Sequence, residues 1–143
     1  MGIYTWRETY DLACQYAQYM ITLGIQPGDL VAVYLMNSPE FMIIWLATFA
    51  VGCAPAMINY NLTGDALIHC LRISGAKVMI ADEEEGCRQR VDETPIEREL
   101  GMHITILDAG KKREIGALPA EEPEKWYRDG MKGSFPMVLS YTR

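Results

Sequence analysis

The sequence predicts an α/β protein, a partial three-layer αβα, Rossmann-like parallel sheet, and three observations carry that prediction. Five short apolar runs of strand length occur at 30–35, 54–58, 78–81, 103–107 and 137–141. Stretches of helical period lie between them, with strand starts about every two dozen residues until a longer last gap, the pattern of βαβ units. The run Leu30-Val31-Ala32-Val33-Tyr34-Leu35 is almost continuously apolar rather than alternating, as a parallel strand covered on both faces requires.

The elements follow in order. Thr5 and Glu8 form a capping box, in which hydroxyl and carboxylate satisfy amide donors left free by a first helical turn, for about 1 kcal/mol. Leu12, Tyr16, Tyr19 and Leu23 give that helix an apolar face, and Gly24 closes it. Gln26-Pro27-Gly28-Asp29 turns into the first strand. Ser38, Pro39 and Glu40 read as N-cap, first helical position and first-turn acid, with Gly52 as the stop, so a helix of about thirteen residues precedes a short strand. The uncharged run 41–58 also reaches the lower limit for a membrane span, which leaves a spanning or interfacial segment as the alternative to buried helix plus strand. Thr63-Gly64-Asp65 opens a helix whose Leu67 and Leu71 face the sheet and which Gly75 ends. A second capping box, Thr94 with Pro95 and Glu97, opens a short helix stopping at Gly101. Residues 111–123 read as a surface connection before a helical piece at 124–128.

Composition excludes several classes. The 143 residues are half hydrophobic with a formal net charge of −6, which argues against a nucleic-acid partner. Lys111-Lys112-Arg113 reads as a solvated turn. Cys14, Cys53, Cys70 and Cys87 form no C-x-x-C pair, so neither a zinc site nor a disulfide framework is expected, and reduced thiols in a cytoplasmic-type compartment are. Eight charged residues precede Asp82, and twenty-four lie from there on. One partial domain is therefore read in three parts: well-patterned βα units at 1–82, a charged, looser region at 83–134, and a last strand at 135–143. Asp82-Glu83-Glu84-Glu85 reads as the solvated first turn of a helix, because adjacent carboxylates there point apart and favour the positive dipole end. His69 beside Cys70 is no catalytic pair, since neighbours on a helix diverge by about 100 degrees. No phosphate-loop, dinucleotide or hydrolase motif is present, and the residues themselves nominate no catalytic group and no metal ligand.

Several separate elements, taken in order, carry a resemblance: Tyr4-Thr5-Trp6-Arg7-Glu8, Gly28-Asp29-Leu30-Val31-Ala32-Val33, Asn37-Ser38-Pro39-Glu40-Phe41, Asn59-Tyr60-Asn61-Leu62, and His69-Cys70-Leu71-Arg72-Ile73-Ser74-Gly75-Ala76-Lys77. Together they resemble the N-terminal part of the adenylate-forming acyl-CoA synthetases, of the AMP-binding superfamily, and look most like its fatty acid transport protein, or very-long-chain acyl-CoA synthetase, branch. The match is dense to about Asp82, thin over 83–134 and returns at 135–142. In that family Tyr-Thr leads into a Ser-Gly-Thr-Thr-Gly loop that holds the phosphates of ATP. Tyr141 and Thr142 match, and Arg143 departs from the pattern. The resemblance implies cofactor-binding roles for Tyr141 and Thr142. For the full-length family it implies ATP, Mg and CoA, with fatty acid and CoA as substrates. It implies formation of an acyl-adenylate followed by transfer to CoA.

The expectation is an N-terminal scaffold of a long- or very-long-chain fatty acid–CoA ligase, inactive alone because the phosphate loop and C-terminal domain are not in this sequence. The alternatives are a non-catalytic module that self-associates or docks on a partner protein through its incomplete sheet, and association with a membrane surface around 41–58.

Overall fold

A computed structural model describes residues 5–36, 38–129 and 139–140. The elements are α1 (Trp6–Thr22), β1 (Leu30–Tyr34), α2 (Pro39–Ala50), β2 (Ala54–Met57), α3 (Gly64–Ser74), β3 (Val78–Asp82), α4 (Glu85–Glu93), α5 (Ile96–Leu100), β4 (His103–Leu107), α6 (Ala109–Gly116), α7 (Trp126–Asp129) and β5 (Leu139–Ser140). The strands form one sheet in the order β4-β3-β1-β2-β5, with parallel pairing at every step.

Burial follows the two-residue period of a strand. Val31 and Val33 of β1 join Val78 and Ile80 of β3 under Ala17, Met20, Ile44 and Ala47 of α1 and α2. Ala32 and Tyr34 join Met79 and Ala81 on the opposite face, under Leu67 and Leu71 of α3, Cys87 and Val91 of α4 and Ile96 of α5. The expected three layers are therefore present, with β1 at the centre. The apolar run 41–58 divides into α2 and β2, and among the described residues no helix is long and apolar enough to cross a membrane.

Start and stop signals act largely as the sequence predicts. Thr5 Oγ1 accepts from the Glu8 amide at 3.1 Å and Glu8 Oε1 from the Thr5 amide at 3.3 Å, which closes the first capping box. Ser38 and Pro39 begin α2, and Gly75 ends α3 in the left-handed region with φ +68°. In β2, the amides of Ala54 and Ile58 donate to Asp29 and Val33 on the β1 side. Pro55, between them, therefore turns its ring nitrogen toward the β5 side, where it has no hydrogen to donate.

Four local expectations are corrected. The buried strip of α1 is Ala13, Cys14, Tyr16, Ala17, Tyr19 and Met20, with Leu12 and Leu23 only flanking it, because small residues let α2 pack closely. The second capping box does not form: Pro95 is the N-cap of α5 and makes no side-chain cap. The Thr94 hydroxyl is buried and donates instead to the Arg90 carbonyl at 2.7 Å while accepting from the Gly64 amide at 3.0 Å. The basic cluster is not a turn and 111–123 is not wholly a connection, since Asp108 accepts from the Lys111 amide at 2.8 Å and nucleates α6. Asp82 ends β3 rather than opening a helix, and Glu84 is the residue that caps α4 through the Cys87 amide.

Gly52 is the tightest of the described glycines. Its φ is +72°, and a Cβ there would lie 1.9 Å from the Tyr127 carbonyl oxygen. Gly75 has a similar φ but open space around it. Gly75→Ala should cost about 1–2 kcal/mol, the left-handed penalty alone. Gly52→Ala should cost clearly more, on the order of 3 kcal/mol or above, because a clash with backbone adds to that penalty. Urea unfolding of the two variants checks the ranking, and equal losses would show that the Tyr127 segment yields freely.

Candidate functional site

In open α/β sheets ligands settle beyond the carboxyl ends of the strands, where the strand order reverses. Here the chain steps from β1 out to β2 and then returns across β1 to β3. Residues 36–38 lead from β1 to α2 in one helical layer and residues 82–84 lead from β3 to α4 in the other, so a crevice opens between β1 and β3.

That crevice is bridged and acidic. Asp82 Oδ2 accepts from the Met36 amide at 3.1 Å and its Oδ1 from the Glu84 amide at 2.9 Å, tying the two connections together. The cavity above holds about 100 Å³, with Ser38, Glu40, Asp82, Glu83 and Lys112 on its walls. Lys112 Nζ lies 3.5 Å from Glu40 and 4.0 Å from Glu83, so the one ammonium is already engaged. Three carboxylates against one cation repel a phosphate, and the residues at this point do not fit one. Among the described residues no group of three His, Cys, Asp or Glu could hold a metal ion.

The other half of the rim lies over β2 and β5. Leu139 and Ser140 pair with Ala56 and Met57, so the last described residue of β5 stands opposite the last residue of β2. Tyr141 and Thr142, the cofactor-binding residues expected from the sequence, lie outside the described residues, as does Asn37. Beyond β2 the loop 59–62 folds as a tight turn, with Asn59 Oδ1 accepting from the Asn61 amide at 2.9 Å and the Leu62 amide donating to the Asn59 carbonyl at 3.1 Å. Both asparagines are exposed.

Two side chains beneath this loop escaped the sequence reading. Tyr34 is fully buried in β1, and its hydroxyl donates to the Leu62 carbonyl at 2.7 Å. Burial pushes its phenol above the ordinary value, partly offset by Arg90. Arg90 Nε donates to the Tyr60 carbonyl at 2.7 Å and to the Tyr34 hydroxyl at 3.1 Å, and the tyrosine bond raises the guanidinium further. The available signal was spacing: Arg90 sits beside Val91 and one turn after Cys87, the two buried positions of α4.

The groups set aside as non-catalytic stay apart from the rim. His69 is exposed on α3 beside a half-buried Cys70, and His103 is exposed at the start of β4. An open apolar groove of about 260 Å³ runs between α1 and α2, with Trp6, Tyr10, Cys14 and Leu46 among its walls.

None of the four cysteines is in a disulfide. Burial, first, and the nearby Asp29 push the Cys53 thiol up to about 12. Burial also raises Cys87, where Arg90 offsets it. At pH 8 only roughly one Cys53 in ten thousand would be thiolate, the form that reacts. Iodoacetamide at pH 8 should therefore label the half-buried Cys70 first and leave Cys53 unmodified in the folded protein. Peptide mapping by mass spectrometry reads the order, and early labelling of Cys53 would contradict this burial.

Comparison with known proteins bears on the rim. Residues 2–142 match the family described as AMP-binding enzyme. The isopenicillin N epimerase component 1 of Hapsidospora chrysogena is 49% identical over 90 residues, which make 63% of this chain and 15% of that protein. The very long-chain fatty acid transport protein of Cochliobolus heterostrophus is 35% identical over 84% of this chain and 18% of its own length. A Mycobacterium tuberculosis fatty acyl CoA synthetase superposes with a TM-score of 0.79 at 24% identity, covering 98% of this chain and 27% of that one, a likeness of fold. The aligned region thus spans about a sixth of the length of these two curated relatives.

Proposed function

We propose that this chain, which belongs to the AMP-binding enzyme family, supplies the first wall of an ATP-dependent fatty acid–CoA ligase and is catalytically silent by itself. The observation that carries this reading is the division of its rim. The reversal crevice between β1 and β3 is filled by Asp82, Glu40, Glu83 and an engaged Lys112, so anionic phosphate is turned away there. The half over β2 and β5 carries no such acidic cluster among the described residues and leads directly to Tyr141 and Thr142.

On this reading Tyr141 and Thr142 begin the segment that approaches the triphosphate. The chemistry of the whole protein is attack of a fatty acid carboxylate on the α-phosphate of ATP with release of pyrophosphate, followed by transfer of the acyl group to the CoA thiol. The relatives named fatty acid transport proteins support a fatty acid as the acid component. Stabilising charge as it develops on a transferring group requires donors and cations held in place, each removed donor costing about a hundredfold or more in rate. The described rim of this chain aims no uncommitted cation at such a position.

The purified chain, given ATP, Mg, CoA and fatty acids of several lengths, is expected to release no pyrophosphate above background. Fatty-acid-dependent release with saturation in ATP would overturn the silent-wall reading. For a longer polypeptide with this chain at its start, Thr142→Ala should lower the ATP-dependent rate by about tenfold or more while leaving unfolding midpoints unchanged. An unaltered rate would remove Thr142 from the nucleotide site.

A further inference from the structure

We infer that Arg90 is a positioning residue: it latches the loop 59–62 to α4, so that the exposed carboxamides of Asn59 and Asn61 are presented at a fixed height over the β2 and β5 end of the sheet. The statement rests on the ligase reading only for what the loop is held to meet. The latch itself stands on geometry.

Three observations converge on it. First, one Arg90 N–H is shared between two acceptors from different segments, the Tyr60 carbonyl at 2.7 Å and the Tyr34 hydroxyl at 3.1 Å. A charged donor makes both bonds stronger than neutral ones of the same length. Second, the Tyr34 hydroxyl passes its own hydrogen to the Leu62 carbonyl at 2.7 Å, so that the Tyr60 and Leu62 carbonyls are both tied to one guanidinium, directly and through one phenol. Third, the residue just past the end of α4 grips the far end of the same connection: the Thr94 hydroxyl accepts from the Gly64 amide at 3.0 Å. A connection leading out of β2 is thus held at both ends by α4 and the residue that follows it, although only the turn bonds within it are its own.

The loop's polar side chains are left over for something else. Asn59 uses its carboxamide oxygen within the turn, and the Asn61 carboxamide has no partner among the described residues. Tyr34 and Arg90 fix the turn's carbonyls from beneath and leave both asparagines exposed. Side-chain amides at a fixed site distinguish ligands sharply, because an unmatched polar group there is costly.

Hydrogen exchange, read residue by residue in the ligand-free chain, tests the latch. Arg90→Lys keeps the charge, but its ammonium lies one bond beyond the position of Nε and has no planar edge to lay between the two acceptors. Exchange at the Asn61 and Leu62 amides is expected to rise about tenfold or more, with amides of β1 and β3 changed by less than about twofold. Tyr34→Phe should act on the same two amides, and Arg88→Lys, on the exposed side of the helix, on neither. Unchanged protection at Asn61 and Leu62, or an equal rise across the strands, would overturn the proposal. Because no ligand is present, this result is independent of whether the chain or its longer relatives activate fatty acids.

Discussion

Everything in this fold hangs on the two-sided burial of one strand. β1 has a partner on each edge and a helical layer on each face, and Val31, Ala32, Val33 and Tyr34 are all essentially inaccessible. Each large side chain among them gains roughly 1.5–3 kcal/mol from leaving water. A strand so placed has no solvent side, so α1 and α2 must cover one face and α3, α4 and α5 the other. The order in which the chain supplies those covers fixes where strand order reverses, and with it where the polar connections gather.

That geometry separates two rim regions by charge. Over β1 and β3, Asp82 spends its carboxylate on backbone amides and Lys112 is held by Glu40 and Glu83, an arrangement that stabilises the connections and leaves phosphate unwelcome. Over β2 and β5, the structure spends a buried tyrosine and an arginine on holding one short turn. The division is between a bridged, acidic region over β1 and β3 and a region over β2 and β5 where a short turn is held from below.

The sheet and its order of elements were legible because both depend on local signals: strand-length apolar runs, Gly52 and Gly75 as stops, and the Thr5 and Glu8 pair as a start. Within 82–116 the strand at 103–107 and the stop at Gly101 stand as expected, and the reading failed only at particular polar positions, for a physical reason. There the polar side chains choose long-range partners over local ones. Thr94 looks like a helix cap in sequence but bonds to Gly64, thirty residues away, and Asp82 looks like a helix start but bonds to Met36 across the sheet. Asp108, by contrast, caps α6 locally, and its signal was overlooked beneath the basic cluster that follows it. The family likeness was legible from ordered motifs, whereas the latch was not, since nothing in the linear chain says that Arg90 and Tyr60 meet.

Pro55 has a consequence for how the last strand is fastened. β2 offers β1 its full complement of amide hydrogens, but on its other margin one rung of the ladder has no hydrogen to give. A strand zipped along that margin meets a gap at Pro55, and Leu139 and Ser140 pair beyond it, at Ala56 and Met57. The seam on this side of β2 is thereby one donor short at Pro55. One missing rung lowers what it takes to part this seam, and it does so at the margin, outside the two-sided burial that fixes β1.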